Sequence, residues 1–190
     1  MSTVSGKEEK MNLTEKRMLI LLDCCVGCHA CEIACRQENG LSYETASKWC
    51  RVMTVRPRRI DDALHLDFFP TLCLHCEDPL CLKSCSAQAI LKREDGMVII
   101  DEGKCHGCRL CVSACPYGAM SFNEVTQVAG KCDLCLNRLQ SGVEPSCVQH
   151  CIGGALRCVT EEDVEKITQG KHTASFGKVS YASSKWKLFG

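Results

Sequence analysis

The feature that most constrains this chain is a run of four closely spaced cysteines, CHGCRLCVSACP, from Cys105 to Pro116. The spacing C-x2-C-x2-C-x3-C, followed by proline, is typical of chains that bind [4Fe–4S] clusters through thiolates. Three thiolates two residues apart can bind three irons of one cube, whereas the fourth points away and serves a different cluster. Gly107 suits a loop that needs a positive φ, and Pro116 directs the chain out of the loop. The motif predicts an iron–sulfur site.

Three further variants of this pattern give the chain four cysteine motifs. Motif one, Cys25–Cys35, has the same spacing but is followed by Arg36 instead of proline. Motif two, Cys73–Cys85, is wider; motif three is the run described above; motif four, Cys132–Cys151, has eleven residues between its second and third cysteines. The predicted ligands are Cys25, Cys28, Cys31, Cys35, Cys73, Cys76, Cys81, Cys85, Cys105, Cys108, Cys111, Cys115, Cys132, Cys135, Cys147 and Cys151. Four sets of four cysteines predict four [4Fe–4S] clusters.

Two other roles for so many cysteines are a disulfide scaffold and zinc binding. The chain has 19 cysteines, an odd number, and residues 1–17 are polar with no apolar segment of an export signal, which disfavours disulfides. Structural zinc favours C-x2-C pairs about 15–20 residues apart, which only motif four approaches. Zinc is therefore the second choice of metal. Cys24, Cys50 and Cys158 lie outside the motifs and are expected to be non-ligating thiols.

Histidines and cations accompany the motifs. His29, His75, His106 and His150 lie beside motif cysteines, but none replaces a cysteine, so a Rieske-type site is not expected. They are expected to donate hydrogen bonds or to form loop surface. The cations near the motifs are Lys83, Lys104, Arg109, Lys131 and Arg138. Such cations would stabilise negatively charged clusters and raise their potentials.

Composition and charge exclude several functions. The formal net charge is zero, so no electrostatic field indicates nucleic acid as a partner. No apolar run approaches the roughly 18 residues of a membrane-spanning helix, so the chain is expected to be soluble or attached through a partner. It has no Gly-rich phosphate loop and no convincing nucleophile–base pair. Each predicted cluster also has four cysteines, which leaves no iron open for a substrate, so the chain is not expected to be an enzyme by itself.

Periodicity and turn residues predict an α+β fold with short elements. Met18–Leu22 is expected to be a buried strand, and Lys48–Ile60 a strand with a basic end. Apolar residues on both sides of Asp95-Gly96 predict a β-hairpin, Ala89–Leu91 with Met97–Ile100, and Ala119–Phe122 is expected to be a closing strand. A short helix is expected to begin after Thr160, capped with the help of Asp163, and to end at Gly170.

The span from Cys25 to Cys151 resembles the iron–sulfur, electron-transfer subunit of DMSO reductase superfamily enzymes. This family includes the corresponding chains of thiosulfate, polysulfide and DMSO reductases and of some formate dehydrogenases. The resemblance rests on the order of the four motifs and on three segments, LCLHCEDP at 72–79, CPYGA at 115–119 and KCDLC at 131–135. Similar four-cluster subunits serve tungsten enzymes of the aldehyde oxidoreductase type and hydrogenase-linked complexes.

The resemblance implies two ferredoxin-like halves related by pseudo-twofold symmetry, one inserted in the other. The outer half would comprise residues 18–70 and 125–170, with motifs one and four. The inserted half would comprise residues 71–124, with motifs two and three. Residues 1–17 would be a flexible leader and residues 171–190 a tail, either loose or laid on a partner.

The resemblance also implies crossed ligation, in which the fourth cysteine of each motif binds the cluster of its paired motif. The implied sets are Cys25, Cys28, Cys31 and Cys151; Cys73, Cys76, Cys81 and Cys115; Cys105, Cys108, Cys111 and Cys85; and Cys132, Cys135, Cys147 and Cys35. We call these quartets one, two, three and four.

The function implied by the resemblance is electron transfer between a large molybdenum- or tungsten-pterin catalytic subunit and a second redox protein or membrane anchor subunit. Two alternatives remain: a free-standing soluble polyferredoxin, and a metal-stapled interaction module without a redox role. Without an export signal the expected location is the cytoplasm, although a subunit can be exported while bound to a signal-bearing partner.

Two stretches outside the motifs are candidates for docking the catalytic subunit. Lys48–Arg59 carries five positive charges and Trp49, and the segment from Lys171 to Gly190 is basic and contains Trp186 and Phe189. Aromatic and arginine side chains are favoured as interface anchors. Both stretches are equally compatible with solvated surface.

Overall fold

The computed structural model describes residues 13–43, 47–55, 57–60 and 62–185. Helices and strands are mixed, which confirms the predicted α+β class. The strands are β1 (Lys16–Leu21), β2 (Cys50–Thr54), β3 (Arg58–Ile60), β4 (Ala63–His65), β5 (Phe68–Leu72), β6 (Ile90–Lys92), β7 (Val98–Ile100), β8 (Met120–Asn123), β9 (Val128–Lys131), β10 (Leu156–Thr160), β11 (His172–Phe176) and β12 (Val179–Ser183). The helices are α1 (Ala30–Glu38), α2 (Leu80–Lys83), α3 (Leu110–Ala114), α4 (Leu136–Gln140), α5 (Ser146–Gln149) and α6 (Glu161–Thr168).

A four-stranded sheet of order β10-β1-β12-β11 joins the two ends of the described chain. Strand β1 pairs antiparallel with β10 and parallel with β12, so that Ile20 is the register partner of both Leu156 and Tyr181. The apolar run Met18–Leu22 is confirmed as a buried strand, although Leu22 already belongs to a 3-10 turn. Residues 1–12 of the predicted leader lie outside the described residues, and Lys16 and Arg17 belong to β1.

The prediction of a C-terminal tail was wrong for residues 172–183, which form β11 and β12. All five residues of β12 are buried, and the ring of Tyr181 stacks on Phe69 with 5.0 Å between centroids. The pairing that buries β12 is with β1, about 160 residues earlier in the chain. Polarity alone did not reveal this strand, because its apolar partners are distant in sequence. Trp186 and Phe189 lie outside the described residues.

Besides the central sheet, the described residues form four two-stranded sheets: β2 with β5, β3 with β4, β6 with β7, and β8 with β9. The hairpin around Asp95-Gly96 and the closing strand β8 are confirmed. The single strand predicted over Lys48–Ile60 is instead two strands in different sheets. Pro57 lies between them, and proline cannot donate a ladder hydrogen bond.

The β8–β9 hairpin corrects one predicted domain boundary. Met120 pairs with Lys131 and Asn123 with Val128, so a division between residues 124 and 125 falls inside a hydrogen-bonded hairpin. The inserted segment therefore extends at least to Lys131. Strand β5 likewise crosses the predicted boundary at residue 70.

Helix α6 has the predicted capping box. Thr160 Oγ1 accepts a hydrogen bond from the Asp163 N–H (3.2 Å), and the Thr160 N–H donates to Asp163 Oδ2 (3.4 Å). Val164 packs with Leu19, Leu21 and Ala182 on one face of the central sheet. The helix ends at Thr168, just before Gly170, which has a φ of +77°. This helix was readable from sequence because its signals are local.

Candidate iron–sulfur cluster sites

The four motif loops share a left-handed backbone at the residue before the second cysteine. This position is occupied by Gly27 (φ +67°), His75 (+49°), Gly107 (+76°) and Leu134 (+59°). A non-glycine residue in this region costs about 1–3 kcal/mol and persists only where the surroundings impose it. The common conformation in four loops of different sequence indicates one shared structural task, which is to wrap the chain around a central group.

Short helices carry the third cysteine of each motif. Cys31 lies in α1, Cys81 in α2, Cys111 in α3 and Cys147 in α5. Helix α1 packs against α5, and α2 packs against α3. Motif one therefore lies beside motif four, and motif two beside motif three.

Three cavities contain cysteines from two motifs each. Quartet two lines a cavity of about 130 Å³, to which Cys115 of motif three contributes. Quartet three lines a smaller cavity of about 20 Å³, which includes Cys85 of motif two. Quartet one lines another cavity of about 20 Å³, to which Cys151 of motif four contributes, and Cys24 lines the same cavity. The fourth cysteine of each of these motifs thus faces its paired motif.

Quartet four is identified by mutual electrostatics within the main core. Burial, followed by the nearby thiol of Cys135, raises the pKa of Cys35 to about 12. Burial also raises the pKa of Cys147 well above its usual value, with contributions from Cys135 and Cys35. Burial, followed by Cys35 and Cys147, likewise raises the pKa of Cys132 well above its usual value. All four predicted members of quartet four are therefore close together.

The donor chemistry of the quartets fits iron–sulfur clusters. Burial, followed by neighbouring thiols, raises the pKa values of several motif cysteines; for Cys81 the value is about 11, with Cys73 as the second cause. Four thiolates cannot be held together in a buried site without a compensating positive centre. Iron provides this centre when it binds, and the ligands release their protons.

Backbone amides donate to the fourth cysteine of three motifs from the residue four positions later. The N–H groups of Ala89, Ala119 and Ala155 lie 3.3, 3.4 and 3.2 Å from Sγ of Cys85, Cys115 and Cys151. This role of the three amides was not predicted from the sequence, although the repeated Cys-x3-Ala spacing was a visible signal. Such bonds stabilise a thiolate.

Motif one differs because α1 does not stop at its fourth cysteine. Arg36 replaces the proline of motif three, and the helix continues to Glu38. Asn39 then donates from Nδ2 to Cys35 Sγ over 3.7 Å, in place of a backbone amide. The Arg36 guanidinium donates to the Ser42 carbonyl at 2.7 Å. Cys35 therefore has a side-chain donor where the other three fourth cysteines have a backbone amide, and it still lies in quartet four.

The predicted cations are mostly paired with carboxylates. Lys83, Lys104, Arg109 and Arg138 form ion pairs with Asp78, Asp101, Glu124 and Glu38. Only Lys131 among the five is buried, at 3% exposure, and its Nζ donates to the carbonyls of Val98 and Cys132. Burial raises the pKa of Cys135, and the nearby Arg138 opposes this rise despite its ion pair. The prediction that the five cations compensate cluster charge stays a prediction.

The histidines do not have one common environment. His75 is 1% exposed, and burial, then Lys131 and Lys178, lower its pKa well below the usual value. The expectation of loop surface was therefore wrong for His75. His29 Nδ1 lies 3.2 Å from Glu32 Oε1, and His150 Nδ1 lies 2.8 Å from the Ser146 carbonyl oxygen.

The three cysteines outside the motifs are dispersed. Cys50 is buried in β2 beside Cys31, and their side chains are in hydrogen-bonding contact. Cys158 lies in β10, where burial raises its pKa to about 11. Their lack of a ligand role stays a prediction.

Several side chains of the candidate docking stretch Lys48–Arg59 make contacts within the chain. Lys48 pairs with Glu32 at 2.6 Å, and Arg51 donates to the Gly118 carbonyl at 2.6 Å. Trp49 donates from Nε1 to Ser121 Oγ at 2.9 Å and packs on Gly130. Trp49 is partly buried by these contacts, and the docking role of the stretch stays a prediction. Arg56 lies outside the described residues.

Comparison with known proteins agrees with this geometry. The family described as "4Fe-4S dicluster domain" matches residues 64–161, just over half of the chain, and includes motifs two, three and four. The chain therefore belongs to this family. Together with the relatives described below, the membership confirms the resemblance to DMSO reductase family iron–sulfur subunits and the prediction of [4Fe–4S] clusters.

Three similar proteins are subunits of larger enzymes. A tetrathionate reductase subunit from Salmonella typhimurium is 40% identical over 141 residues, 73% of this chain and 55% of the relative. An anaerobic dimethyl sulfoxide reductase chain from Escherichia coli is 40% identical over 132 residues, 67% and 64% of the two chains. The iron–sulfur subunit of the nitrate-inducible formate dehydrogenase from E. coli is 32% identical over 170 residues, which cover 82% of this chain and 58% of the relative.

The chain spans 55% to 64% of the length of these three relatives. No helix in the part of the chain that the structure describes is both long and apolar enough to cross a membrane.

Proposed function

We propose that the chain is an electron-transfer subunit that carries four [4Fe–4S] clusters and has no catalytic activity of its own. It would connect a large molybdenum- or tungsten-pterin catalytic subunit to a second redox protein or membrane anchor subunit. The observation that carries this proposal is the exchange of fourth cysteines, by which Cys115 and Cys151 line the cavities of their paired motifs. The names of the relatives, all subunits of reductases or dehydrogenases, support the assignment.

The four quartets form a connected series in the order one, four, two, three. Cys31 of quartet one is a neighbour of Cys147 of quartet four. Cys132 of quartet four is a neighbour of Cys73 of quartet two. Quartets two and three are joined by the exchange of Cys115 and Cys85. Single electrons would enter and leave through the outer members of this series.

The outer quartets reach the protein surface. Cys28 of quartet one and Cys108 of quartet three are both exposed, whereas Cys132 and Cys147 of quartet four are buried. Apolar side chains flank both exposed cysteines: Val26 is 60% exposed and Leu110 is 51% exposed. The two ends are therefore the places where a donor and an acceptor can approach a cluster closely.

The pairing of helices also favours two halves related by approximate twofold symmetry, one inserted in the other. The helix pair α2–α3 and the hairpins β6–β7 and β8–β9 would form the inserted half. The pair α1–α5 and the central sheet would form the outer half. This arrangement stays a proposal, with the inserted half extended to Lys131 because β9 pairs with β8.

Metal analysis combined with cysteine substitution tests the proposal. Anoxically purified chain should contain about sixteen iron and sixteen sulfide, since each cubane holds four of each. Cys115→Ser should perturb the EPR signal of the quartet two cluster and leave that of quartet three, although Cys115 belongs to motif three. Cys158→Ser is the matched control and should retain all the iron. About eight iron, stoichiometric zinc, or loss of the quartet three signal would contradict the proposal.

Co-purification tests the partner. Tagged chain isolated under anoxic conditions should bring with it a large subunit that contains molybdenum or tungsten. Isolation of an iron-replete chain without any such subunit would favour the free-standing polyferredoxin instead.

A further inference from the structure

The buried side chain of His75 has a hydrogen-bond donor without an acceptor. Its Nδ1 accepts the N–H of Val98 at 2.9 Å. A backbone N–H can only donate, so Nδ1 carries no proton and the proton of the neutral ring lies on Nε2. Among the described residues, Nε2 is the one buried side-chain polar atom without a hydrogen-bond partner. Native structures nearly always provide an acceptor for such a group.

The surroundings of His75 offer Nε2 two acceptors: the carbonyl of Cys132, which lies close to the ring, and the sulfurs of a cluster held by quartet two. His75 lies between Cys73 and Cys76 in chain order and lines the cavity of about 130 Å³ formed by quartet two. Its backbone, with a φ of +49°, is fixed by the loop that carries these cysteines. The sulfurs of a cluster in this cavity are acceptors, and hydrogen bonds to such sulfurs tune the reduction potential.

A hydrogen-bonded bridge holds His75 in place. The N–H of Val98 binds the imidazole of His75, and the carbonyl of the same residue accepts from Lys131. Lys131 also donates to the Cys132 carbonyl at 3.0 Å. Val98 thus connects the loop of quartet two to the first cysteine of quartet four. The imidazole therefore cannot turn to bring Nδ1 into the cavity without breaking this bridge.

We propose that the Nε2–H of His75 donates a hydrogen bond to the cluster of quartet two. This bond would raise the reduction potential of that cluster. This inference rests on the proposed function, because it requires a cluster in quartet two. The hydrogen bond strengthens when the cluster gains an electron, since the acceptor sulfurs become more negative. The reduced form is therefore stabilised more than the oxidised form.

Two substitutions separate the donor from the support of the loop. In His75→Asn, Oδ1 can accept the Val98 N–H in place of Nδ1, and asparagine tolerates a positive φ, but no atom remains at the Nε2 position. In His75→Gln, the side-chain amide reaches that position and restores a donor. Glutamine is already accommodated at a comparable φ of +50° at Gln88.

The first readout is an anoxic redox titration of the full chain followed by EPR, after iron and sulfide have been measured. In His75→Asn we expect the equilibrium constant for reduction of the quartet two cluster to fall about tenfold, equivalent to a shift of about −59 mV for one electron. His75→Gln should return the potential toward that of the unsubstituted chain. The other three potentials should change much less.

The second readout is pulsed EPR of chain labelled with ¹⁵N-histidine. A coupled imidazole nitrogen should be present in the reduced unsubstituted chain and absent from His75→Asn. The carbonyl of Cys132 lies close to the imidazole and is the competing acceptor. If Nε2 bonds to that carbonyl instead, the quartet two potential will not change in His75→Asn and no cluster coupling will be seen, which overturns the inference.

The outcomes also separate this inference from the proposed function. If His75→Asn loses iron, the potential of His75→Gln and the nitrogen coupling of the unsubstituted chain decide the question. An unsubstituted chain with about sixteen iron but no histidine coupling overturns the inference alone. An unsubstituted chain without a quartet two cluster overturns the proposed function as well.

Discussion

Tyr181 provides a test of whether the C-terminal strand β12 belongs to the core. Its side chain is 4% exposed, stacks on Phe69 at 5.0 Å and meets Phe176 edge to face at 6.5 Å. An aromatic side chain buries about 150–250 Å², which at about 25 cal/mol per Å² corresponds to roughly 4–6 kcal/mol. Alanine retains Cβ, and the extended-chain reference overstates burial, so Tyr181→Ala should cost about 3–5 kcal/mol of unfolding free energy.

The assay must take into account that unfolding of a cluster protein is irreversible once iron is lost. The rate of unfolding in guanidinium, measured anoxically by circular dichroism together with iron release, is therefore the appropriate quantity. A loss of about 3–5 kcal/mol raises the equilibrium constant for unfolding more than about a hundredfold. If β12 docks late in folding, most of this change should appear as a faster rate of unfolding.

Two control variants define the interpretation. Tyr181→Phe keeps both ring contacts and should unfold much more slowly than Tyr181→Ala. Val125→Ala changes a side chain that is 84% exposed and should behave like the unsubstituted chain. If Tyr181→Ala retains its iron and has the same unfolding midpoint and rate as Val125→Ala, β12 is not part of the core and the tail interpretation would be restored.

Three further predictions follow from the loops, the caps and the clusters. Gly107→Ala should lower iron content by about one cluster, because a φ of +76° is unfavourable for alanine and its Cβ would meet the Gln127 carbonyl. The control is Gly142→Ala, which is also at positive φ but has open space around it. Equal iron content in the two variants would contradict this reasoning. Thr160→Ala removes the N-cap of α6 and should lower the unfolding free energy by about 1 kcal/mol, measured as a faster rate of unfolding. Thr160→Ser keeps the capping hydroxyl and should unfold at the rate of the unsubstituted chain. Chelation or exposure to oxygen should abolish the far-UV circular dichroism signal, because metal binding supplies folding free energy to a small cysteine-lined core; a cooperative transition of the apo-protein would refute this.

The sequence by itself determined the local features of this protein. Most neighbouring cysteines of a motif are three or four positions apart and therefore lie on one loop or one turn of helix, so the four motifs were visible without any tertiary information. The capping box at Thr160 and the hairpin at Asp95-Gly96 were predictable for the same reason, because each depends on residues fewer than about ten positions apart. The resemblance to iron–sulfur subunits likewise rested on motif order and three local segments, and the family match over residues 64–161 confirmed it.

Only the tertiary structure decided how distant segments combine. The strand pairing that buries β12 joins residues about 160 positions apart, and no local pattern in Val179–Ser183 specifies β1 as its partner. The ion pair of Arg138 with Glu38 joins residues 100 positions apart, so it could not be predicted from the proximity of Arg138 to motif cysteines. The burial of His75 was hidden for the same reason: Val98, Lys131 and Lys178 surround it from three separate strands or turns. Sequence spacing fixes which cysteines can share a loop, whereas long-range packing fixes the electrostatic environment in which each cluster would work.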